Sequence, residues 1–143
     1  MPHLVILYTS NLSAEIDMGV LCRELADTML TIKDEQGNQV FPTGGVRVLA
    51  YPAAHHAVAD GGAAGMLAGG SGEYGFVYLN LRMGRGRSNS VQHQAGKALE
   101  AATMELLRPL LDRKPVGVTL QIDEGQEVFD AKNSSLHPLF QRH

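Results

Sequence analysis

Taken as apolar and polar positions, the chain falls into blocks that run strand, helix, strand, and then repeat. The first block, from His3 to Tyr8, is almost continuously apolar through LVIL, as in a strand covered on both faces. TSNLS then supplies turn and cap residues. Asn11 or Ser13 is expected to cap a helix with Glu15 and Asp17 in its first turn, where the helix dipole favours negative charge. Leu21, Leu25, Met29 and Ile32 recur at helical spacing and make one face, and DEQGN ends the helix. Gly44 and Gly45 form a turn before a strand from Val46 to Tyr51. Alternation puts Val46, Val48 and Ala50 on one side of it and Arg47, Leu49 and Tyr51 on the other, so the second side must lead somewhere polar.

Residues 53–72 break the pattern. Gly and Ala dominate, which predicts a flexible loop with room for a short helical turn. From Tyr74 to Met83 the chain has its strongest strand signal, rich in aromatic and branched residues. GRGRSNS follows, with Ser88 or Ser90 as cap of a second long helix whose face is expected to be Val91, Ala95, Ala98, Ala102 and Leu106. Pro109 is expected to bend that helix, and Pro115 opens the next segment. Val116 to Ile122 reads as a fourth strand. The tail from about residue 124 is polar, with Leu136, Leu139 and Phe140 suggesting a short helix that docks or reaches a neighbour.

Two consecutive βαβ units give an α+β fold: a four-stranded sheet with two long helices on one face. The other face is then uncovered and needs a partner, and the sheets of identical subunits are one common solution. The length of 143 residues fits one domain over 1–143. Net charge is −3, from 12 Lys and Arg against 15 Asp and Glu, so no basic surplus favours nucleic acid and no cationic cluster favours a membrane surface. No run approaches the ~18 apolar residues of a membrane span. The start lacks the pattern of a signal peptide, and the single cysteine, Cys22, reads as a small buried hydrophobe; a cytoplasmic setting is expected.

Three features offer chemistry. Pro2 stands directly before the first strand, either as a rigid entry to an edge strand or, once Met1 is removed, as a secondary amine at the end of a buried strand. GRGRS, residues 84–88, sets Arg85 and Arg87 ahead of a helix N-terminus, a combination suited to a carboxylate or phosphate; as a phosphate-binding P-loop it is a poor match. Arg47 lies inside a strand, as a surface ion pair or as a second anion contact. Two guanidinium groups beside an amine would bind a dianionic acid, stabilise an enolate, and depress the amine's pKa toward that of a general base at neutral pH. His55 and His56 are adjacent but lack further ligands at metal-site spacing, and read as a solvated pair.

In their order and spacing, MPH leading into a strand, FPTGGVR, YGFVYLNLRMGRGRS, VQHQAG and SSLHPLF resemble the 5-carboxymethyl-2-hydroxymuconate isomerase family of the tautomerase superfamily, from Pro2 to about Phe140. The resemblance implies a homotrimer with sites at subunit interfaces. It also implies a 1,3-proton shift that ketonises a dienol diacid in homoprotocatechuate catabolism, with no cofactor and no metal. It places the family's amino-terminal proline on Pro2, as base, and its two arginines on Arg47 and Arg87, as carboxylate and carbonyl contacts. His3 and Arg85 are expected to add substrate contacts. The partner is then a small di- or tricarboxylate dienol, with no nucleic acid and no membrane. Two departures bear on the substrate: the family's loop is closer to GAGRS, so Arg85 is an extra cation, and the Gly/Ala-rich loop is longer. Hydration or dehalogenation of an unsaturated acid by the same site, and a non-catalytic oligomeric binding domain, are the alternative readings.

Overall fold

A computed structural model describes residues 2–140 of the chain. Strand β1 (His3–Thr9) leads through a 3-10 turn at Ser10–Leu12 into helix α1 (Met18–Thr31), and a second 3-10 turn, Thr43–Gly45, enters strand β2 (Arg47–Ala53). A short helix α2 (Ala63–Leu67) lies in the following loop. Strand β3 (Gly75–Met83), helix α3 (Asn89–Leu111) and strand β4 (Val116–Glu124) form the second half, and a 3-10 turn at His137–Phe140 ends the described chain.

The sheet has four strands in the order β2-β1-β3-β4. β1 runs parallel to β2 and antiparallel to β3, and β3 runs parallel to β4, so the two βαβ units meet along β1 and β3. α1 and α3 pack beside each other on one face. Leu4 and Ile6 of β1, Val77, Leu79 and Leu81 of β3, and Leu21, Leu25 and Met29 of α1 are all fully buried between the layers. The opposite face is bare within this chain: Leu7, Leu49 and Tyr51 are 45%, 45% and 49% exposed. The apolar run of β1 is thus covered on one face only here, and its second apolar face is open.

Several local expectations need correction. α1 begins at Met18, after a 3-10 turn anchored by buried Leu12, and its cap is Asp17, whose carboxylate accepts from Val20 N–H at 3.1 Å. Asn11 does not cap; its Nδ2 donates to Tyr74 O at 2.9 Å. Glu15 lies outside the helix and binds Arg113 and Lys114, each at 2.8 Å. The buried stripe of α3 runs Val91, Ala95, Leu99, Thr103, Leu107 and Leu110; Ala98 and Ala102 only flank it and Leu106 faces out. Thr103 is buried because its hydroxyl donates to Leu99 O at 2.7 Å, which satisfies it without water. Cys22 is half-buried against the core, and that burial raises its thiol pKa.

The 53–72 segment is a loop with a helical turn. Asp60 Oδ1 accepts from Gly62 and Ala63 N–H and Oδ2 from Ala64 N–H, while Tyr74 Oη accepts from Gly65 N–H at 3.0 Å. Gly62 has φ of +105°, and a Cβ there would meet Gly72 O at 1.8 Å, so only glycine fits. His55 and His56 are exposed on this loop.

Candidate active site

The site follows from strand register. His3 opens β1 and is paired with Arg47 of β2 on one side and Arg82 of β3 on the other. Pro2 directly precedes this paired position, and extending the two registers by one residue would set it opposite Val46 and Met83. Pro2 is buried, on the side of the strand that Leu4 and Ile6 share, so its ring is packed while its main-chain nitrogen sits at the sheet end. Pro2 is thus not on an edge strand: β1 is internal to the sheet.

His3 and Arg47 are neighbours on the open face and both are half-buried. Burial holds the His3 imidazole below its ordinary pKa of 6.5, and the nearby Arg47 guanidinium pushes the same way, so the ring favours its neutral form. Arg47 Nη1 donates to Gly45 O at 2.9 Å, which ties the guanidinium to the turn that launches β2.

Arg87 comes from the loop after β3. Gly86 has φ of +106°, a left-handed turn that explains the second glycine of GRGRS. Ser88 Oγ caps α3 by accepting from Val91 N–H at 3.2 Å and donates to Glu35 at 2.9 Å. Arg87 Nη1 donates to Gly84 O at 3.2 Å and Nη2 to Val40 O at 3.1 Å, and its guanidinium carbon stands 5.2 Å from the centre of the Phe41 ring. Phe41 is fully buried, so the cation rests on a fixed aromatic platform. Burial lowers the Arg87 pKa, yet a guanidinium stays protonated in a protein.

Pro2, His3 and Arg47 therefore occupy neighbouring register positions, and Arg87 is anchored to the chain just ahead of β2. Arg85, two residues away, is exposed and turned elsewhere: Nε donates to Gly125 O at 3.1 Å and Nη2 to Gln126 Oε1 at 2.6 Å. Sequence reasoning missed Phe41 as the platform for Arg87 and Arg82 as the cross-strand neighbour of His3. The signal for Phe41 lay in FPTGGVR itself, where an aromatic precedes the turn; Arg82 needed the antiparallel register. Among the described residues no group of three His, Cys, Asp or Glu side chains could hold a metal ion, and no helix is long and apolar enough to cross a membrane.

The model of the 5-carboxymethyl-2-hydroxymuconate isomerase family matches residues 2–140. The chain belongs to this family. A curated 5-carboxymethyl-2-hydroxymuconate Delta-isomerase of Escherichia coli is 24% identical over 140 residues, covering 98% of this chain and 99% of that protein. A crystal structure of a 5-carboxymethyl-2-hydroxymuconate delta-isomerase is 63% identical with a TM-score of 0.96, covering 100% of this chain and 95% of the other. That of a 5-carboxymethyl-2-hydroxymuconate isomerase from Deinococcus radiodurans R1 is 27% identical with a TM-score of 0.80, covering 99% and 95%. The protein is an isomerase and acts on a small molecule. The non-catalytic reading is thereby set aside.

Proposed function

We propose that the protein ketonises 5-carboxymethyl-2-hydroxymuconate, a dienol polycarboxylate, by a cofactor-independent 1,3-proton shift in homoprotocatechuate catabolism. The observation that carries the residue assignment is the register around Pro2: β1 sits between β2 and β3, with Arg47 beside His3 and the GRGRS loop just past the end of β3. After removal of Met1, the Pro2 nitrogen is a secondary amine held by a buried ring. Cationic neighbours and a partly desolvated setting disfavour its protonated form, which makes it a base near neutral pH. It takes the dienol hydroxyl proton as the O–H bond breaks and the carbonyl forms. The same proton is then returned to carbon as the enol C–O bond becomes the carbonyl. Arg47 and Arg87 bind carboxylates and stabilise the negative charge on oxygen as it develops. His3, neutral, contributes a hydrogen bond rather than a third cation.

The whole chain, 1–143, is taken as one tautomerase-like domain working in the cytoplasm, as a homotrimer with sites at subunit interfaces. The exposed Leu7, Leu49 and Tyr51 on the bare sheet face support an oligomer. The test is a ketonisation assay on 2-hydroxymuconate-type dienols with Pro2→Ala, Arg47→Ala and Arg87→Ala, coupled to mass spectrometry of the native N-terminus. Loss of activity in all three with Pro2 as first residue is the expected result. Full activity in all three, or a native chain that keeps Met1, rejects the mechanism.

A further inference from the structure

The segment after β4 has three fixed points, and they fall in order across one end of the sheet. At the first, Gly125 N–H donates to Met83 O at 2.8 Å, and Arg85 grips Gly125 O and Gln126 Oε1. This point lies off the end of β3. The second is Asp130, which is ion-paired with Lys132 and lies within electrostatic reach of His3, the first residue of β1. The third is the 3-10 turn His137–Phe140, packed on Gly44 in the turn that enters β2. A Cβ at Gly44 would stand 2.8 Å from His137 Nδ1 and 3.2 Å from Phe140 Cδ2. Since the strand order is β2-β1-β3-β4, the segment passes β3, β1 and β2 in turn, along the end where Pro2, His3 and Arg47 lie.

We propose that Arg85 is a positioning residue that fastens residues 125–140 as a strap along this sheet end, and that the strap is the wall against which the substrate's carboxymethyl arm lies. The proposal rests on the assignment of the active site to that end. It gives the extra arginine of GRGRS a different task from the one its charge suggests. One edge of its guanidinium is taken up by a backbone carbonyl and a side-chain amide, and that edge cannot also face a substrate carboxylate. Between its anchors the strap has little core to hold it: Val128 and Phe129 are 104% and 85% exposed. A segment with so few buried contacts depends on its ends, so releasing one end frees the whole length.

The experiment uses full-length Arg85→Ala, Arg85→Lys, Gly44→Val and the Arg85→Ala/Gly44→Val double variant. Steady-state kinetics are run on 2-hydroxymuconate and on 5-carboxymethyl-2-hydroxymuconate. Each single variant is expected to raise KM for the carboxymethyl dienol about tenfold, with kcat within about twofold and KM for the unsubstituted dienol nearly unchanged. Lys should behave as Ala, because it keeps the charge and loses the fork. The double variant should add little, because both changes release the same strap. Trypsin should cut after Lys132 faster in every variant. A wild-type Lys132 cleavage rate in Arg85→Ala, rescue by Lys, kcat losses on both dienols, or additive effects in the double variant would overturn the strap and make Arg85 a direct substrate contact. A wild-type enzyme that ketonises neither dienol would instead reject the site assignment, and the strap with it.

Discussion

The two ends of the sheet differ in how their cations are held. At the end where β1 finishes and β3 and β4 begin, carboxylates are bonded on both oxygens within the chain. Glu15 binds Arg113 and Lys114, and Asp60 spends both oxygens on the backbone N–H groups of Gly62, Ala63 and Ala64. Thr9 and Asn11 add neutral bonds to Phe76 N–H and Tyr74 O. At the end where β1 begins, Arg85 and Arg87 bond instead to uncharged oxygens, those of Gly125, Gln126, Gly84 and Val40. The carboxylates nearby, Glu35, Asp123 and Glu124, also take neutral donors, from Ser88, Asn80 and Gln92. A carbonyl orients a guanidinium without cancelling its charge. One end thus gathers an ion-pair network around Glu15, whereas at the other Arg87 is oriented by carbonyls and, among the described residues, is paired with no carboxylate.

The most severe break of that contrast is Pro2→Ala, with Met1 removed. Loss of the ring-held secondary amine should lower kcat by about 10²-fold or more, as for other lost general bases, while leaving Tm close to wild type. Next come Arg47→Ala and Arg87→Ala. Each should lower kcat/KM by about 10²-fold, the scale of a lost charge-stabilising donor. Arg87→Lys should recover little of it, because a lysine cannot hold Val40 O and Gly84 O in one fork while lying flat on Phe41. Steady-state kinetics separate these effects from folding if thermal melts are recorded alongside.

A change at the opposite end should do the reverse. Gly62→Ala forces a Cβ to within 1.8 Å of Gly72 O at a φ of +105°, and the loop must distort. A loss of about 1–3 kcal/mol is expected, read as a fall in Tm, with kcat of the folded enzyme unchanged. A variant that keeps its Tm but loses turnover would mean that the 53–72 loop reaches the active site, and the contrast between the ends would fail.

How much of this was legible in the sequence depends on contact range. The apolar face of α1 was readable because one period governs it: Leu21, Leu25 and Met29 are all buried, as is Ile32 at its C-cap. α3 was harder. Its alanines offer two adjacent stripes, and the true one passes through Thr103, a polar residue made buriable only by its bond to Leu99 O. The same limit applies to the site. Arg47 beside the start of β1 follows from a parallel βαβ unit, whereas the partners of Arg85 lie forty residues on, in a tail with no period to read. Glu15 is a parallel case. It was read as a local dipole partner, but its partners, Arg113 and Lys114, are set by how α3 ends and not by its own neighbours.

Glu15 also supplies the mildest test of the comparison, since its role is purely structural in this account. Hydrogen bonds from Lys114 and then Arg113 hold its carboxyl below the ordinary value of 4.5. The unfolded chain therefore takes up a proton at Glu15 at a higher pH than the folded one does. The stabilisation is fully present above the unfolded value and is lost as pH falls below about 4.5 toward the lower folded value. Glu15→Gln removes that term. The variant should melt slightly below wild type at neutral pH, by an amount typical of partly exposed ion pairs, and the gap should close as pH drops through that window. Turnover should stay within about twofold of wild type throughout, because the lost charge lies at the opposite end of the sheet from the proposed site. A gap that widened on acidification would reverse the sign of the linkage, and would mean that the two cations around Glu15 are held by something other than its charge.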